Sequence, residues 1–207
     1  MNTYLTELLE RYPPLESCGS EIQAAYELLC RCYEESVDGM VYLCGNGGSA
    51  ADAQHIVGEL MKSFSGRRKV SATMRERLND AYLAEHLEGA LRALALTGSG
   101  SLATAFANDV AADLVFAQQV FGYGRPGDVL WALSTSGNSQ NVLHALTVAR
   151  AKGMHTLGMT GQGGGAMAAL CEVCIRVPES ETDRVQELHL PIYHALCHML
   201  EARFFPQ

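Results

Sequence analysis

Five times along this chain a short apolar run stops at Gly, Ser, Thr or Pro: Met40–Cys44, Leu91–Thr97, Asp128–Leu133, His155–Thr160 and Val173–Val177. Runs of that length bounded by turn residues predict buried strands. Helical spacing marks the stretches 1–10, 21–36, about Ser49 to Lys62, Arg75 to about Ala90, Val142 to Lys152 and Glu181 to about Phe204. Strands alternating with helices imply βαβ units, hence an α/β fold with a five-stranded, mainly parallel sheet flanked by helices. Helices precede the first strand, and one long helix ends the chain. Ligands of such sheets sit beyond the carboxyl ends of the strands. Three of those ends carry Gly-, Ser- or Thr-rich loops here.

The chain has 207 residues, enough for one large α/β domain with a sizeable core. A hydrophobic share of 48% with 18% charged residues is globular. A net charge of −8 argues against a nucleic-acid surface, yet leaves room for a local loop that binds an anion through backbone dipoles. No apolar run is long enough to span a bilayer and Met1–Thr6 has no basic leader, so a cytoplasmic protein is expected. Seven cysteines, mostly in apolar stretches, read as reduced buried thiols; Cys171 and Cys174 form a lone CxxC, too little for a zinc ribbon.

The first loop, Gly45-Asn46-Gly47-Gly48-Ser49, joins a strand to a helix. Glycine allows close backbone approach to a ligand, Ser49 is a candidate N-cap, and the free N–H groups of the helix start favour an anion. His55 and Glu59 follow four residues apart, on one face of that helix. A sugar phosphate held near a metal or an acid/base pair is the leading reading. Ser134-Thr135-Ser136-Gly137-Asn138-Ser139 adds hydroxyl and N–H donors able to hold a phosphomonoester, although Asn138 or Ser139 could simply cap the next helix. Residues 63–73 read as a basic, mobile connection.

Taken together, Cys-Gly-Asn-Gly-Gly-Ser with His55 and Glu59, Ala-Asn108-Asp109, Ser-Thr-Ser-Gly-Asn-Ser and Asp183-Arg-Val-Gln-Glu-Leu-His resemble the sugar isomerase (SIS) family, above all its phosphoheptose isomerases. The resemblance runs from about residue 20 to the C-terminus. It implies a single flavodoxin-like SIS domain, a homotetramer with active sites at subunit interfaces, and interconversion of sedoheptulose 7-phosphate with D-glycero-D-manno-heptose 7-phosphate through an enediol. It places Asn46, Gly47 and Gly48 on the sugar, Asn108 and Asp109 on its hydroxyls, and Ser134, Thr135, Ser136 and Ser139 on the phosphate. By the same resemblance His55, Glu59, Gln186 and His194 hold one zinc ion per site. Glu59 and His194 double as the catalytic acid/base pair, and Glu59 and Gln186 also contact substrate. Gln186 and His194 are eight residues apart, about 12 Å along a helix. A single ion reaches both only between outstretched side chains or across two subunits. His189 and His198 are nearby substitutes. The segment from about 68 to 90 is longer than the matching connection in the isomerases and reads as an inserted helical element.

Two rivals remain. A non-catalytic branch of the same family associates with a replication initiator protein; the four residues His55, Glu59, Gln186 and His194 favour the enzyme. Thr97-Gly-Ser-Gly-Ser-Leu-Ala103 fits the dinucleotide fingerprint, but no acidic residue follows at the required spacing.

Overall fold

The computed structural model describes residues 2–36 and 38–206. The five apolar runs form β1 (Val41–Cys44), β2 (Ala93–Ala95), β3 (Val129–Leu133), β4 (His155–Thr160) and β5 (Val173–Arg176). They pair in the order β2-β1-β3-β4-β5, and every pairing is parallel. This is the flavodoxin-like order, in which the chain reverses its direction of travel between β1 and β3.

The central strands β1 and β3 are covered on both sides, so they are apolar without interruption and alternate their contacts face to face. Val41, Leu43, Val129, Trp131 and Leu133 join a core with α1 (Thr3–Arg11), α2 (Gly19–Glu35), α3 (Gly48–Met61) and α9 (Thr182–Phe204). Tyr42, Cys44, Leu130 and Ala132 point the other way, into a second core. There they meet α7 (Val115–Tyr123) and α8 (Gln140–Ala151). The positions Ile22, Ala25, Leu28, Leu29 and Cys32 repeat at helical spacing and give α2 its buried stripe.

Three local expectations fail for identifiable reasons. The stretch 75–90 is not one helix. It is α4 (Ala72–Leu78) and α5 (Ala81–His86), neither with a buried residue. Asn79 between them is left-handed, with φ 47°, and the Asp80 carboxylate accepts from the Leu83 N–H to start the second helix. Asn and Asp are a stop and a start signal that outweigh the apolar spacing. Nor is the basic connection 63–73, expected to be mobile, detached from the core, because Arg68 is fully buried. Ser49 does not cap α3. That helix starts at Gly48, after Gly47 at φ 56°, and no side chain caps it. The region 100–123, for which no element was expected, holds α6 (Gly100–Asp109) and α7.

Candidate functional site

The loops after β1 and β3 lie side by side at the reversal point, where the sheet opens a crevice. Asn46 and Asn141 exchange two amide hydrogen bonds of 2.9 Å across it. Asn46, Gly47 and Gly48 are exposed. A Cβ on Gly48 would come within 2.5 Å of the Gln186 amide, so glycine here lets α9 set that side chain directly against the start of α3. The unsatisfied N–H groups of that helix start remain free to meet an anion.

The loop after β3 is tightly folded. Ser134 Oγ lies 3.1 Å from Ser139 Oγ, and the Ser136 hydroxyl accepts from the Asn138 N–H at 3.2 Å. Gly137 has φ 66°, and a Cβ there would stand 2.2 Å from the Gly164 carbonyl oxygen. The loop after β4 buttresses it: Gly161 N–H donates to Thr135 O, and Met167 N–H to Gly137 O, both at 3.0 Å. Ser136 is exposed, Thr135 and Ser139 are half-buried and Ser134 is buried. Three of the four hydroxyls are thus open to a ligand on a braced loop.

From the middle of α3 and α9 comes a second group. His55 Nε2 is 3.2 Å from Glu59 Oε1, the spacing of adjacent turns. The His194 ring stands edge-on to His55 at a centroid separation of 5.1 Å. Tyr193 and Asp52, which sequence reasoning passed over, orient this group. The Tyr193 hydroxyl donates to Asp52 Oδ1 at 3.3 Å and lies 2.9 Å from His55 Nδ1. The His55 tautomer decides which way these bonds run: with Nε2–H donating to Glu59 the Tyr193 hydroxyl meets the Nδ1 lone pair, and with Nδ1–H donating to Tyr193 the Nε2 lone pair faces Glu59. The signal for Asp52 was present in the sequence: Asp52, His55 and Glu59 sit at i, i+3 and i+7 on one helix face.

Burial raises the Asp52 carboxyl above its usual range, against the Tyr193 hydrogen bond. Burial also lowers the His194 imidazole, and the neighbouring His55 adds to it, so His194 is neutral near pH 7. His194 Nε2 is buried without a hydrogen-bond partner, and Glu59 Oε2, also without one, has the Lys62 ammonium 3.6 Å away. Buried polar atoms normally find partners, and an unpartnered imidazole nitrogen with a carboxylate and a second imidazole beside it is a donor set chemically suited to a divalent cation. Among the described residues, however, no group of three or more His, Cys, Asp or Glu side chains is arranged to hold a metal ion as it stands.

The remaining expected residues are dispersed. Asn108 and Asp109 are exposed at the end of α6, where Asn108 Nδ2 donates to Asp109 Oδ1 at 2.7 Å, and no hydrogen bond links them to the crevice. Gln186 sits at the Gly48 end of α3, while His194 sits at the His55 level. His198 is not a substitute, since its ring stacks on Phe64 and its Nδ1 lies 2.7 Å from Ser65 Oγ. His189 is fully buried, away from the cluster's contacts. Five of the seven thiols are buried; Cys171 and Cys174 are half-buried, and all seven are free. At the dinucleotide-like stretch, a Cβ on Gly98 or Gly100 would meet nothing within 4 Å. No helix among the described residues is long and apolar enough to cross a membrane.

The SIS domain model matches residues 3–161. A phosphoheptose isomerase of Synechocystis is 40% identical over 92% of this chain and 86% of its own length. Another from Rhodospirillum rubrum is 48% identical over 79% of this chain and 76% of its own. The solved phosphoheptose isomerase of Neisseria gonorrhoeae superposes with a TM-score of 0.76 at 36% identity, covering 95% of this chain and 94% of that one. This chain belongs to the SIS domain family, in which it is most like the phosphoheptose isomerases.

Proposed function

We propose that the chain is a phosphoheptose isomerase, converting sedoheptulose 7-phosphate to D-glycero-D-manno-heptose 7-phosphate. The observation that carries the proposal is the meeting of His55, Glu59 and His194 beside two anion-suited loops at the sheet's reversal point. Aldose–ketose isomerisation moves a proton between neighbouring carbons through an enediol. It needs a base, an acid near the carbonyl oxygen, and stabilisation of developing negative charge.

In this reading Ser134, Thr135, Ser136 and Ser139 hold the phosphate. Asn46, Gly47 and Gly48 contact the sugar, and Asn108 and Asp109 reach its hydroxyls. Glu59 takes the proton from carbon while His194, neutral near pH 7, serves the oxygens. Tyr193 and Asp52 fix the orientation of the His55 ring. His55, Glu59, Gln186 and His194 would hold one zinc ion; their two imidazoles, carboxylate and amide are a hard-to-borderline donor set suited to it. An ion held by these residues would supply Lewis-acid polarisation of the substrate carbonyl. The protein acts in the cytoplasm as a homotetramer with sites at subunit interfaces, bound to neither nucleic acid nor membrane. No observation favours the non-catalytic, initiator-binding alternative.

The test is to incubate the protein and zinc with sedoheptulose 7-phosphate and follow the aldose product by NMR. Conversion in D₂O should place deuterium at C2 of the aldose. Absence of product from sedoheptulose 7-phosphate and from a panel of pentulose and hexulose phosphates would overturn the reading.

A further inference from the structure

Arg68, after α3, and Glu201, near the end of α9, form a buried ion pair, with Arg68 0% and Glu201 5% exposed. Their bonds converge on the end of α3. That helix stops at Met61, so its last carbonyls have no partner within the helix. Arg68 Nη2 donates to the Glu59 carbonyl at 2.9 Å and Nη1 to the Leu60 carbonyl at 2.6 Å. Its Nε donates to Glu201 Oε1 at 2.7 Å. The guanidinium also rests over the Phe205 ring, 5.0 Å from the centroid.

Glu201 is saturated in turn. It accepts from the N–H groups of Phe64 at 2.8 Å, Ser65 at 2.7 Å and Gly66 at 3.3 Å. Burial works to raise its pKa, but these donors and Arg68 outweigh burial and hold it below the usual carboxylate range. One guanidinium and one carboxylate therefore fix the helix end, the turn that leaves it, and the neighbouring helix.

We propose that Arg68 and Glu201 are positioning residues that set Glu59 against His194. The proposal rests on the isomerase reading above, in which those two side chains carry the proton. Glu59 is held by its own backbone carbonyl. Glu201 lies seven residues after His194 on α9, two helical turns away. The strut Glu59 O–Arg68–Glu201 thus closes a frame between α3 and α9 with the proton-transfer pair inside it. A cation at a helix C-terminus also complements the helix dipole, so the arrangement is favourable where it stands.

Stability alone is a poor explanation for such a pair, because a well-packed apolar pair of similar volume is often as stable as a buried ion pair. A guanidinium supplies directional donors in a rigid fork, which an apolar pair or a lysine cannot reproduce. A misplacement of about 1 Å at a reacting group costs on the order of 10²-fold in rate. Fixing one carbonyl of the residue that carries the base is a direct way to prevent it.

The experiment compares wild type with Arg68→Met, Arg68→Lys and Glu201→Gln, reading kcat and KM separately, deuterium incorporation at C2 of the aldose, and folding by circular dichroism and thermal melting. Folded Arg68→Met should lose about 10–100-fold in kcat and in deuterium incorporation with KM within about threefold, because the phosphate and sugar loops do not touch the strut. Arg68→Lys should recover part of that loss, since an ammonium reaches one or two of the three acceptors. If Arg68→Met does not fold, Arg68→Lys and Glu201→Gln carry the test. Wild-type kcat in folded variants, with only the melting temperature lowered, overturns the positioning role and leaves the isomerase reading intact. Wild-type protein that isomerises no ketose phosphate overturns both.

Discussion

Glu59 is the residue on which most of the proposed chemistry converges: one oxygen faces His55 Nε2 at 3.2 Å and the other has the Lys62 ammonium at 3.6 Å. Glu59→Gln keeps the shape and removes the base. General acid–base catalysis is worth about 10²–10⁴-fold, so kcat should fall by that much while sugar phosphate still binds. Loss of deuterium incorporation at C2, with binding measured by calorimetry unchanged, is the check. His55→Ala tests the ion separately. Protein purified without chelator should contain about one zinc per chain by elemental analysis, and the variant should have lost it; retained zinc would move the site elsewhere. Ser136 is the exposed hydroxyl of the β3 loop, and Ser136→Ala should raise the apparent substrate constant about 10–100-fold, the loss of one hydrogen bond to a charged oxygen. At this scale the sequence was partly legible. The pair His55 and Glu59 could be read from a four-residue spacing on one helix. Tyr193 could not be paired with Asp52 and His55, because that contact joins residues 141 and 138 positions apart and depends on how α3 and α9 dock.

Among the elements, α9 has the densest set of roles, with Gln186, His194 and Glu201 facing α3 and Val185, Ile192 and Leu196 in the core. His189 shares this helix and lies wholly inside, beside the Thr160 backbone. Burial pushes its pKa down from 6.5 to about 4. The folded chain therefore prefers the neutral ring. The stability this contributes is fully present above 6.5 and is lost as pH falls from there toward 4, because the unfolded chain takes up the proton first. The loss amounts to about 3 kcal/mol. Denaturant midpoints measured across that window should fall with pH in wild type and fall less in His189→Leu. Identical slopes would refute the assignment. The strands were legible as elements because a parallel sheet covered on both faces leaves uninterrupted apolar runs between turn residues. Helix α6 was not, and the reason is physical: Gly100–Asp109 has no buried residue in the chain, so no periodic face marks it. In the sequence alone Arg68 belongs to a basic run that looks solvated, because its carboxylate partner lies 133 positions away.

For the molecule as a whole, α6 poses the question of what covers it. Half of the residues in Gly-Ser-Leu-Ala-Thr-Ala-Phe-Ala-Asn-Asp are apolar, yet none is buried: Leu102 is 38% exposed, and Val110, which follows the helix, is 65% exposed. An apolar helix without a core is ordinarily buried by another chain. Asn108 and Asp109, expected on the sugar hydroxyls, lie at the end of this same helix with no hydrogen bond to the crevice of their own chain. Both facts are met if α6 packs at a subunit interface and presents Asn108 and Asp109 to a neighbour's site. That arrangement predicts complementation. Glu59→Gln and Asp109→Asn, each inactive when expressed alone, should regain activity when coexpressed and purified as a mixed oligomer, because some sites then combine an intact Glu59 from one chain with an intact Asp109 from another. If each site were built from one chain, every site in the mixture would carry one of the two lesions and activity would stay at the level of the parents. Light scattering should give the mass of a tetramer for wild type and for the mixed sample. A monomer of full activity would refute the shared site, because α6 would then remain uncovered in the working enzyme.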